Sequence, residues 1–447
     1  PKLRIIDDYG HHPTEVAATL QTARSLKPER LIVAFQPHRY SRTQKLADDF
    51  GKALQAADHV FVTDIYPASE LPIEGVTAQT IVDAVQSNGN ARAEVVGPVK
   101  WGHHTVGNAL QPGDLLITLG AGNVHEIGTK IARDMTIIEE MMRLCNERSE
   151  DVDQPKANAK LYEPMSRHTT ILCGGPAQFW LEPHGFDAFS QLVRYCRERG
   201  IPQRIVGRGS NLLVRDGGIR GAVIHPTGGE FSDVRVEGDV IIAGAGARFK
   251  KLASVAAAHG LTGMEWMEGI PGNVGGGLRM NAGAMGIETF DQVISVTFLD
   301  EDGEIRERSN DEIVSYYRSV PELRRNFALS AKFQAEAASP ELIAQRMEES
   351  KQKRRTSQPI AASAGCIFKN PEEMPAGMLV DALGLKEASV GKAQVSTEHG
   401  NFIVNRGKAK AADVLGLIDD IRRKAKSERD ITMETEVQII GEDEFTF

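Results

Sequence analysis

Long apolar runs are absent from this sequence, and cysteine is scarce. No stretch approaches the roughly 20 apolar residues that a membrane-spanning helix needs, and no signal-peptide pattern opens the sequence. The four cysteines lie far apart, without a CxxC pair or the spacing of metal ligands. We therefore expect a cytoplasmic protein with reduced thiols, rather than disulfides or a metal site.

An excess of positive charge is also absent. Lys and Arg total 52 against 61 Asp and Glu, which gives a formal net charge of -9. This balance argues against nucleic acid or an anionic membrane as the main partner, although local basic clusters remain able to bind a small anion. A length of 447 residues predicts two or three domains.

Glycine, by contrast, is concentrated in a few segments. Residues 269–286 (GIPGNVGGGLRMNAGAMG) hold seven glycines and no apolar run long enough for a packed helix. Glycine at this density lets the backbone approach a ligand and direct consecutive N–H groups at phosphate. Residues 207–218 (GRGSNLLVRDGG) and 168–180 (HTTILCGGPAQFW) add similar groups. We expect a large phosphorylated cofactor, with ordinary structural turns of a β-rich protein as the alternative.

The usual nucleotide-binding motifs do not account for these segments. GAGARF, at residues 244–249, lacks the third glycine of the dinucleotide fingerprint, and the pattern GxxxxGK[ST] is absent. The sequence therefore does not predict a Rossmann or P-loop pocket for this cofactor.

Residues 1–146 show alternating strand and helix patterns. Strands are predicted at RIID, LIVAF, HVFVTD and LLITLG, with helices near residues 13–25 and 41–56. This alternation is typical of βαβ units, whose parallel sheets bind ligands at the carboxyl ends of strands. The polar strings DDYGHH, QPHRYSR and DIYPASE lie at those ends. We predict an α/β domain with a Rossmann-like parallel sheet.

The remaining sequence predicts a linker and two α+β domains. Residues 147–166 are polar and indicate the linker. Short strands, glycine turns and few clear helices follow over 167–337. Residues 338–447 contain apolar residues at helical spacing, between the predicted strands FIVN and EVQII. These helix residues are Val414, Leu417, Ile418 and Ile421.

The order of several strings resembles one enzyme family. GGPAQF, GRGSNLLVRDGG, GIPGNVGG, MNAGAMG, YYRS, AGCIFKNP and TEVQIIG occur in the order of UDP-N-acetylenolpyruvoylglucosamine reductase (MurB). The resemblance covers about two thirds of the chain, from residue 167, and fits the shorter branch of the family. It implies an FAD-binding domain over 167–337 and a substrate-binding domain over 338–447. It also implies non-covalent FAD, NADPH as reductant, and reduction of UDP-N-acetylglucosamine enolpyruvate to UDP-N-acetylmuramate for peptidoglycan.

Three residues match the reaction centre of that family. The resemblance implies that Arg318, in YYRS, holds the substrate carboxylate and that Glu436, in TEVQIIG, helps to stabilise the enolic intermediate. Cys366, in AGCIFKNP, stands where most relatives have a proton-donating serine. A thiol of pKa about 8.5 is a stronger acid than an aliphatic hydroxyl, so we expect proton donation to be preserved. The alternative for Arg318 is a surface ion pair, and for Glu436 a strand residue that faces solvent. For Cys366 the alternative is a small buried apolar side chain.

The resemblance also implies binding residues. KQKRR, at 351–355, puts positive charge before the Cys366 turn, although such runs are usually solvated helix faces. We expect Arg354 or Arg355 at the substrate diphosphate, Asn370 at the nucleotide and His399 at a further substrate contact. The residues expected to bind FAD are Gly207, Gly209, Ser210, Asn211, Gly272, Asn273, Gly275, Gly276 and Gly283.

The first 135 residues resemble a second family. IIDDYGHHPTE, AFQPHRYSRT, DIYPASE and GAGN match the C-terminal domain of UDP-N-acetylmuramate-L-alanine ligase (MurC). The resemblance implies ligand contacts for His11, Arg39 and Arg42, with a polar turn that caps the next helix as the alternative for His11 and His12. The other ligase domains are not found, so we expect a fragment of a ligase-reductase fusion whose ligase part is inactive alone.

Two other functions are compatible with parts of this pattern. One is a flavin oxidase of the same FAD-binding architecture that acts on a sugar or alcohol, but it leaves AGCIFKNP and TEVQIIG unexplained. The other is a non-enzymatic nucleotide-sugar sensor, which gives Arg318, Cys366 and Glu436 no purpose.

Overall fold

A computed structural model of the chain describes residues 3–89, 91–146 and 158–444. The chain forms two compact units, and the division between them falls at residues 139 and 140, within the helix His125–Asn146. In the part of the chain that the structure describes, no helix is long and apolar enough to cross a membrane.

The first unit is built on a parallel sheet of order β1-β5-β2-β3-β4. Its elements are β1 Arg4–Asp8, α1 Pro13–Ser25, β2 Leu31–Phe35, α2 Tyr40–Ala53, β3 His59–Thr63, α3 Ala78–Asn88, β4 Arg92–Gly97, α4 Val99–Ala109, β5 Leu115–Leu119 and α5 His125–Asn146. Strands β2 and β5 are buried along their whole length, as is typical of inner strands of parallel sheets. The predicted parallel sheet is confirmed, and each of the four predicted strands is present.

The second unit begins with two sheets. Its first elements are β6 Asn158–Pro164, β7 Pro176–Glu182, α6 Phe186–Glu198, β8 Gln203–Ile205, β9 Leu212–Val214, β10 Ile219–Ile224, β11 Val234–Glu237, β12 Val240–Gly244, α7 Phe249–Ala258, β13 Leu261–Thr262, α8 Val274–Met280, β14 Gly283–Ala284, β15 Ile287–Glu288, β16 Val293–Leu299, β17 Ile305–Ser309, α9 Glu322–Arg325, β18 Phe327–Gln334 and β19 Glu336–Ala337. One sheet has the order β6-β7-β10-β8, and the other is antiparallel, of order β11-β12-β18-β16-β17.

The second unit ends with a third sheet and three helices. These elements are α10 Pro340–Ser357, β20 Ser363–Cys366, α11 Ala376–Ala382, β21 Ser389–Val390, β22 Ala393–Val395, β23 Phe402–Asn405, α12 Ala411–Arg429 and β24 Gln438–Ile440. The sheet is antiparallel, of order β20-β23-β22-β21. The predicted amphipathic helix is confirmed as α12, because all four of its marked apolar residues lie in the core. Strand β24 pairs in parallel with β9, so the chain returns to the earlier part of the unit.

Two expectations about local structure are wrong. The predicted linker of 147–166 ends too late, because β6 pairs with β7 from residue 158; residues 147–157 lie outside the described part. The glycine-rich segment also contains a helix, α8. A β-carbon on Gly277 would lie 2.0 Å from Cζ of Phe249, so glycine lets this helix pack directly on a buried ring. Tertiary packing thus overrides the weak helix propensity of glycine.

Candidate active site

A cavity of about 1450 Å³ lies within the second unit. It exceeds the usual 300–1,000 Å³ of a pocket for one small ligand. All residues predicted to bind the cofactor line it: Gly207, Gly209, Ser210, Asn211, Gly272, Asn273, Gly275, Gly276 and Gly283. The two main glycine-rich segments, 207–218 and 269–286, therefore line the same cavity.

Asn273 joins these segments. Its Oδ1 accepts a hydrogen bond from the backbone N–H of Arg208 at 2.7 Å, and its Nδ2 donates to the carbonyl of Gly246 at 2.5 Å. The side chain is almost fully buried, so each of these bonds replaces one to water. Asn273 consequently fixes the glycine-rich wall in one arrangement.

The glycines of α8 face in different directions. A β-carbon on Gly276 would meet nothing within 4 Å, and this residue lines the cavity. A β-carbon on Gly275 would lie 2.9 Å from that of Ala245. The exposed Gly276 backbone therefore offers a ligand close access, whereas Gly275 and Gly277, which also line the cavity, have no room for a side chain.

Arg318, Cys366 and Glu436 all line the same cavity, although they come from three distant parts of the chain. Nε of Arg318 donates to Oε1 of Glu436 at 2.9 Å, and the two side chains are only 18% and 17% exposed. This partial burial in a shared cavity argues against the surface ion pair considered for Arg318 and against the solvent-facing position considered for Glu436. Cys366 ends β20 and is half-buried.

The backbone holds Arg318 in an unusual conformation. Its φ is +57°, in the left-handed region that residues other than glycine rarely adopt. Tyr316 and Ser319 close the turn with backbone bonds of 2.8 and 3.1 Å, and the guanidinium lies 4.6 Å from the ring centre of Tyr317. Such local strain persists where surrounding contacts hold it, and it is frequent at functional sites.

Glu436 reaches the cavity through backbone bonds to neighbouring elements. Its N–H donates to the carbonyl of Ile367 at 2.8 Å, and its carbonyl accepts from Nδ2 of Asn211 at 3.2 Å. It lies just before β24 rather than inside the strand predicted for EVQII. The pairing of β24 with β9 thus places the carboxylate beside Arg318.

Burial changes the pKa of both Cys366 and Glu436. It raises the pKa of Cys366 to about 12, with a further upward effect from the charge of Glu436 and an opposing one from Arg318. The expected thiol pKa of about 8.5 is thus wrong for this environment. Burial also raises the pKa of Glu436, against the lowering effect of Arg318. A thiol of this kind keeps its proton at neutral pH and is available to donate it.

The cavity is strongly cationic. Glu436 is the only acidic residue that lines it in the described part of the chain, against ten cationic residues. Those residues are Arg167, Arg204, Arg208, Arg248, Lys251, Arg279, Arg318, Arg324, Lys353 and Arg354. Such a surface favours ligands that carry several phosphate or carboxylate groups.

The predicted substrate residues divide into two groups. Arg354 lines the cavity, and its guanidinium donates to the carbonyl of Gly269. Arg355, Asn370 and His399 are not among the described residues that line it. Oδ1 of Asn370 accepts from the first N–H of α11 at 3.0 Å, and Nδ1 of His399 accepts from the N–H of Asn401 at 3.1 Å.

Sequence reasoning missed some charged and polar residues near this centre. Arg279 lines the cavity from α8, and burial together with the charges of Arg204 and Arg324 lowers its pKa. Glu288 lies 3.9 Å from Nη1 of Arg318, and Asn281 binds Glu288. The only sequence signal was position, since these residues fall within or just after the glycine-rich segment.

The first unit gathers its own predicted residues at one edge of the parallel sheet. His11 follows β1, whereas Arg39 and Arg42 follow β2. Nη1 of Arg42 donates to the carbonyl of His11 at 3.3 Å, and Arg39 has a φ of +70°. The capping alternative is also partly realised, because the Glu15 carboxylate accepts the backbone N–H of His11 at 3.0 Å.

Comparison with known families agrees with this division. Residues 357–440 match the family described as UDP-N-acetylenolpyruvoylglucosamine reductase, C-terminal domain, and residues 177–309 match the FAD binding domain family. Residues 1–122 match the family described as Mur ligase, glutamate ligase domain. The first two matches together contain the glycine-rich segments 207–218 and 269–286, Cys366 and Glu436.

Individual relatives match most of their own length. The UDP-N-acetylenolpyruvoylglucosamine reductase of Clostridium tetani is 39% identical over 288 residues, which are 64% of this chain and 93% of the relative. That of Heliobacterium modesticaldum is 43% identical over 284 residues, or 63% and 90%. The crystal structure of the reductase (MurB) from Thermus caldophilus is 34% identical, with a TM-score of 0.56, and the match covers 64% of this chain and 98% of that one. The chain therefore belongs to the UDP-N-acetylenolpyruvoylglucosamine reductase family, with a Mur ligase domain preceding its reductase part.

Proposed function

We propose that the second unit binds FAD in its cationic cavity and reduces the enolpyruvyl ether of UDP-N-acetylglucosamine to UDP-N-acetylmuramate, a peptidoglycan precursor. The observation that carries this proposal is the buried Arg318–Glu436 ion pair, which shares the cavity with the protonated thiol of Cys366. Within this unit we assign residues 167–337 to FAD binding and 338–447 to the substrate, with β24 returning to the FAD part.

The cavity wall fits a flavin dinucleotide. The open space beside Gly276 allows close approach to the backbone, and ten cationic side chains line the same cavity. Gly209 has a φ of +66°, and a β-carbon there would lie 2.1 Å from the carbonyl of His168, so this turn tolerates only glycine. Bound FAD supplies the hydride for the reduction. The predicted glycine, serine and asparagine contacts are part of this proposal.

Arg318 binds the carboxylate of the enolpyruvyl group in this mechanism. A guanidinium has five N–H donors in a planar fork, so the bond to Glu436 leaves donors for a second carboxylate. Addition of hydride to the vinyl carbon breaks the C=C π bond and moves its electron pair to the adjacent carbon. The charge then spreads into the substrate carboxylate, where Arg318 stabilises it, while Glu436 keeps the guanidinium in place.

Cys366 completes the reaction by donating its proton to that carbon. The S–H bond breaks as the new C–H bond forms, and the thiolate recovers a proton from solvent. The raised pKa keeps the donor fully protonated at neutral pH, and positive charge from Arg318 favours the thiolate product. Cysteine thus performs the role that serine has in most relatives.

NADPH is the proposed source of the reducing equivalents. The cationic lining of the cavity suits its phosphate groups as well as the diphosphate of the substrate. Of the two arginines expected at the substrate diphosphate, Arg354 lines the cavity and is the one we assign to it, whereas Arg355, Asn370 and His399 stay predictions.

For the first unit we infer the role of a C-terminal domain from an L-alanine-adding Mur ligase. The positions of His11, Arg39 and Arg42 at the ligand edge of the sheet support contacts with ATP or the amino acid. Since the sequence has no GxxxxGK[ST] loop, we infer that this polypeptide alone adds no L-alanine. ATP-dependent addition by the purified chain would contradict that inference.

The reductase proposal is tested by separating its two half-reactions in stopped-flow absorbance. In Cys366→Ala, NADPH should still bleach the flavin, whereas reoxidation by the enolpyruvyl substrate should slow by about 10²–10⁴-fold, the usual contribution of a general acid. Cys366→Ser is the matched control and should restore most of the rate. Undiminished reoxidation in Cys366→Ala would remove this residue from the mechanism, and turnover with simple sugars or alcohols would favour the oxidase alternative.

A further inference from the structure

A second carboxylate lies beside Arg318, outside the cavity. Oε1 of Glu288 lies 3.9 Å from Nη1 of Arg318, whereas Glu436 accepts from Nε at 2.9 Å. Glu288 is not among the described residues that line the cavity. The guanidinium is therefore close to two carboxylates, one that lines the ligand space and one that does not.

Glu288 is itself held in place. Its Oε2 accepts from Nδ2 of Asn281 at 2.7 Å, and Asn281 is only 2% exposed. Oδ1 of Asn281 accepts the backbone N–H of Phe290 at 3.1 Å, while its Nδ2 also approaches the carbonyl of Tyr316 at 3.4 Å. One buried amide thus connects Glu288 with the turn that carries Arg318.

The two carboxylates affect the orientation of the Arg318 guanidinium more than they affect the attraction between Arg318 and an anionic substrate. A guanidinium recognises a carboxylate through its plane, and small errors in placement reduce rates strongly. The hydrogen bond from Nε to Glu436 and the charge of Glu288 at 3.9 Å from Nη1 both favour one orientation of the Arg318 head group. The charge of Glu288, which is 34% exposed, has a weaker and opposite effect, because it mildly repels an anionic substrate.

We propose that Glu288, held by Asn281, is a positioning residue that fixes the plane of the Arg318 guanidinium for the carboxylate of the substrate. This inference rests on the proposed role of Arg318. Glu288 acts through Arg318 and needs no contact with substrate or cofactor.

The test uses Glu288→Gln, which keeps the shape and the Asn281 partner but removes the charge. The flavin is reduced anaerobically with dithionite, so that the result does not depend on NADPH, and the enzyme is mixed with the enolpyruvyl substrate. We expect reoxidation to slow by about 10- to 100-fold, the effect of a misplaced group. The Kd of the same substrate for the oxidised enzyme, measured by calorimetry, should change by less than about threefold, since lost orientation and relieved repulsion oppose each other.

Asp291→Ala is the matched control. Asp291 accepts the backbone N–H of Glu288 at 2.8 Å and supports the same turn without an ion pair to Arg318. This variant should lower Tm while its reoxidation rate per bound flavin stays within about twofold of wild type. A role of Glu288 in stability alone would give Glu288→Gln that same behaviour and would overturn the proposal.

Arg318→Lys distinguishes failure of the inference from failure of the proposed function. Lysine is a point charge without a plane, so Glu288→Gln should have little further effect in this background. If Glu288→Gln slowed reoxidation by the same factor in the wild-type and Arg318→Lys backgrounds, the positioning role would be overturned while Arg318 stayed in the mechanism. A wild-type rate in Arg318→Lys would remove both the fork-like role of Arg318 and the inference about Glu288.

Discussion

In helix α8, substitutions at the adjacent residues Gly276 and Gly277 should have different effects, one on cofactor binding and the other on core packing. A β-carbon on Gly277 would lie 2.0 Å from Cζ of the buried Phe249, whereas one on Gly276 would enter open space at the cavity. Overpacking at Gly277→Ala costs about 1–3 kcal/mol, and the helix propensity of alanine offsets up to about 1 kcal/mol. Because a separation of 2.0 Å from a buried ring puts the overpacking cost in the upper part of that range, we expect the free energy of unfolding of the FAD-free protein to fall by about 1–2 kcal/mol.

Gly276→Ala should have the reverse profile. No packing is disturbed, so the FAD-free protein should gain up to about 1 kcal/mol from helix propensity. The new methyl group occupies the space that a close ligand needs, so the Kd for FAD should rise by at least about tenfold. Urea titration and quenching of flavin fluorescence measure the two quantities. Wild-type FAD affinity in Gly276→Ala would refute the close approach of the cofactor, and wild-type stability in Gly277→Ala would refute the packing argument.

Two further predictions concern Cys366 and Glu436. Because the pKa of Cys366 is about 12, its thiolate fraction at pH 8 is near 10⁻⁴. Iodoacetamide should therefore modify Cys366 on the order of a thousandfold more slowly in the folded protein than in the denatured chain. Peptide mass spectrometry measures both rates, and rapid labelling of the folded protein would contradict the effect of burial. The folded pKa of Glu436 is raised, so its contribution to stability is complete below its ordinary value of 4.5 and is lost as pH rises through the folded value. Glu436→Gln should lack this part of the decline in pH-dependent unfolding, and an identical decline in both proteins would contradict the assignment.

The sequence was most informative where local pattern and tertiary environment agree. Strand β2 consists of the apolar run LIVAF, which fits a strand buried on both faces. Helix α12 shows the same agreement, because its apolar spacing matches the buried positions. Both could be predicted from residues alone.

Other elements depend on contacts that local pattern does not contain. Helix α8 was not predicted, because a run of glycines usually indicates a loop. In the fold, the glycine at position 277 is needed because any side chain there would overlap the ring of Phe249. Resemblance pointed to Arg318 and Glu436 as site residues, but their ion pair spans 118 positions and could not be predicted from spacing. The raised pKa of Cys366 likewise depends on burial in the folded cavity.

The pairing of β24 with β9 has a consequence for biosynthesis. Asn211 and Glu436 are 225 positions apart, and the carboxylate that accepts a hydrogen bond from Arg318 arrives only with the segment that forms β24. Residues 436–440 must therefore be synthesised before the reaction centre can assemble. Prematurely terminated products that retain the glycine-rich wall would lack this carboxylate, so translation itself delays the onset of catalytic competence until the reductase part has been made.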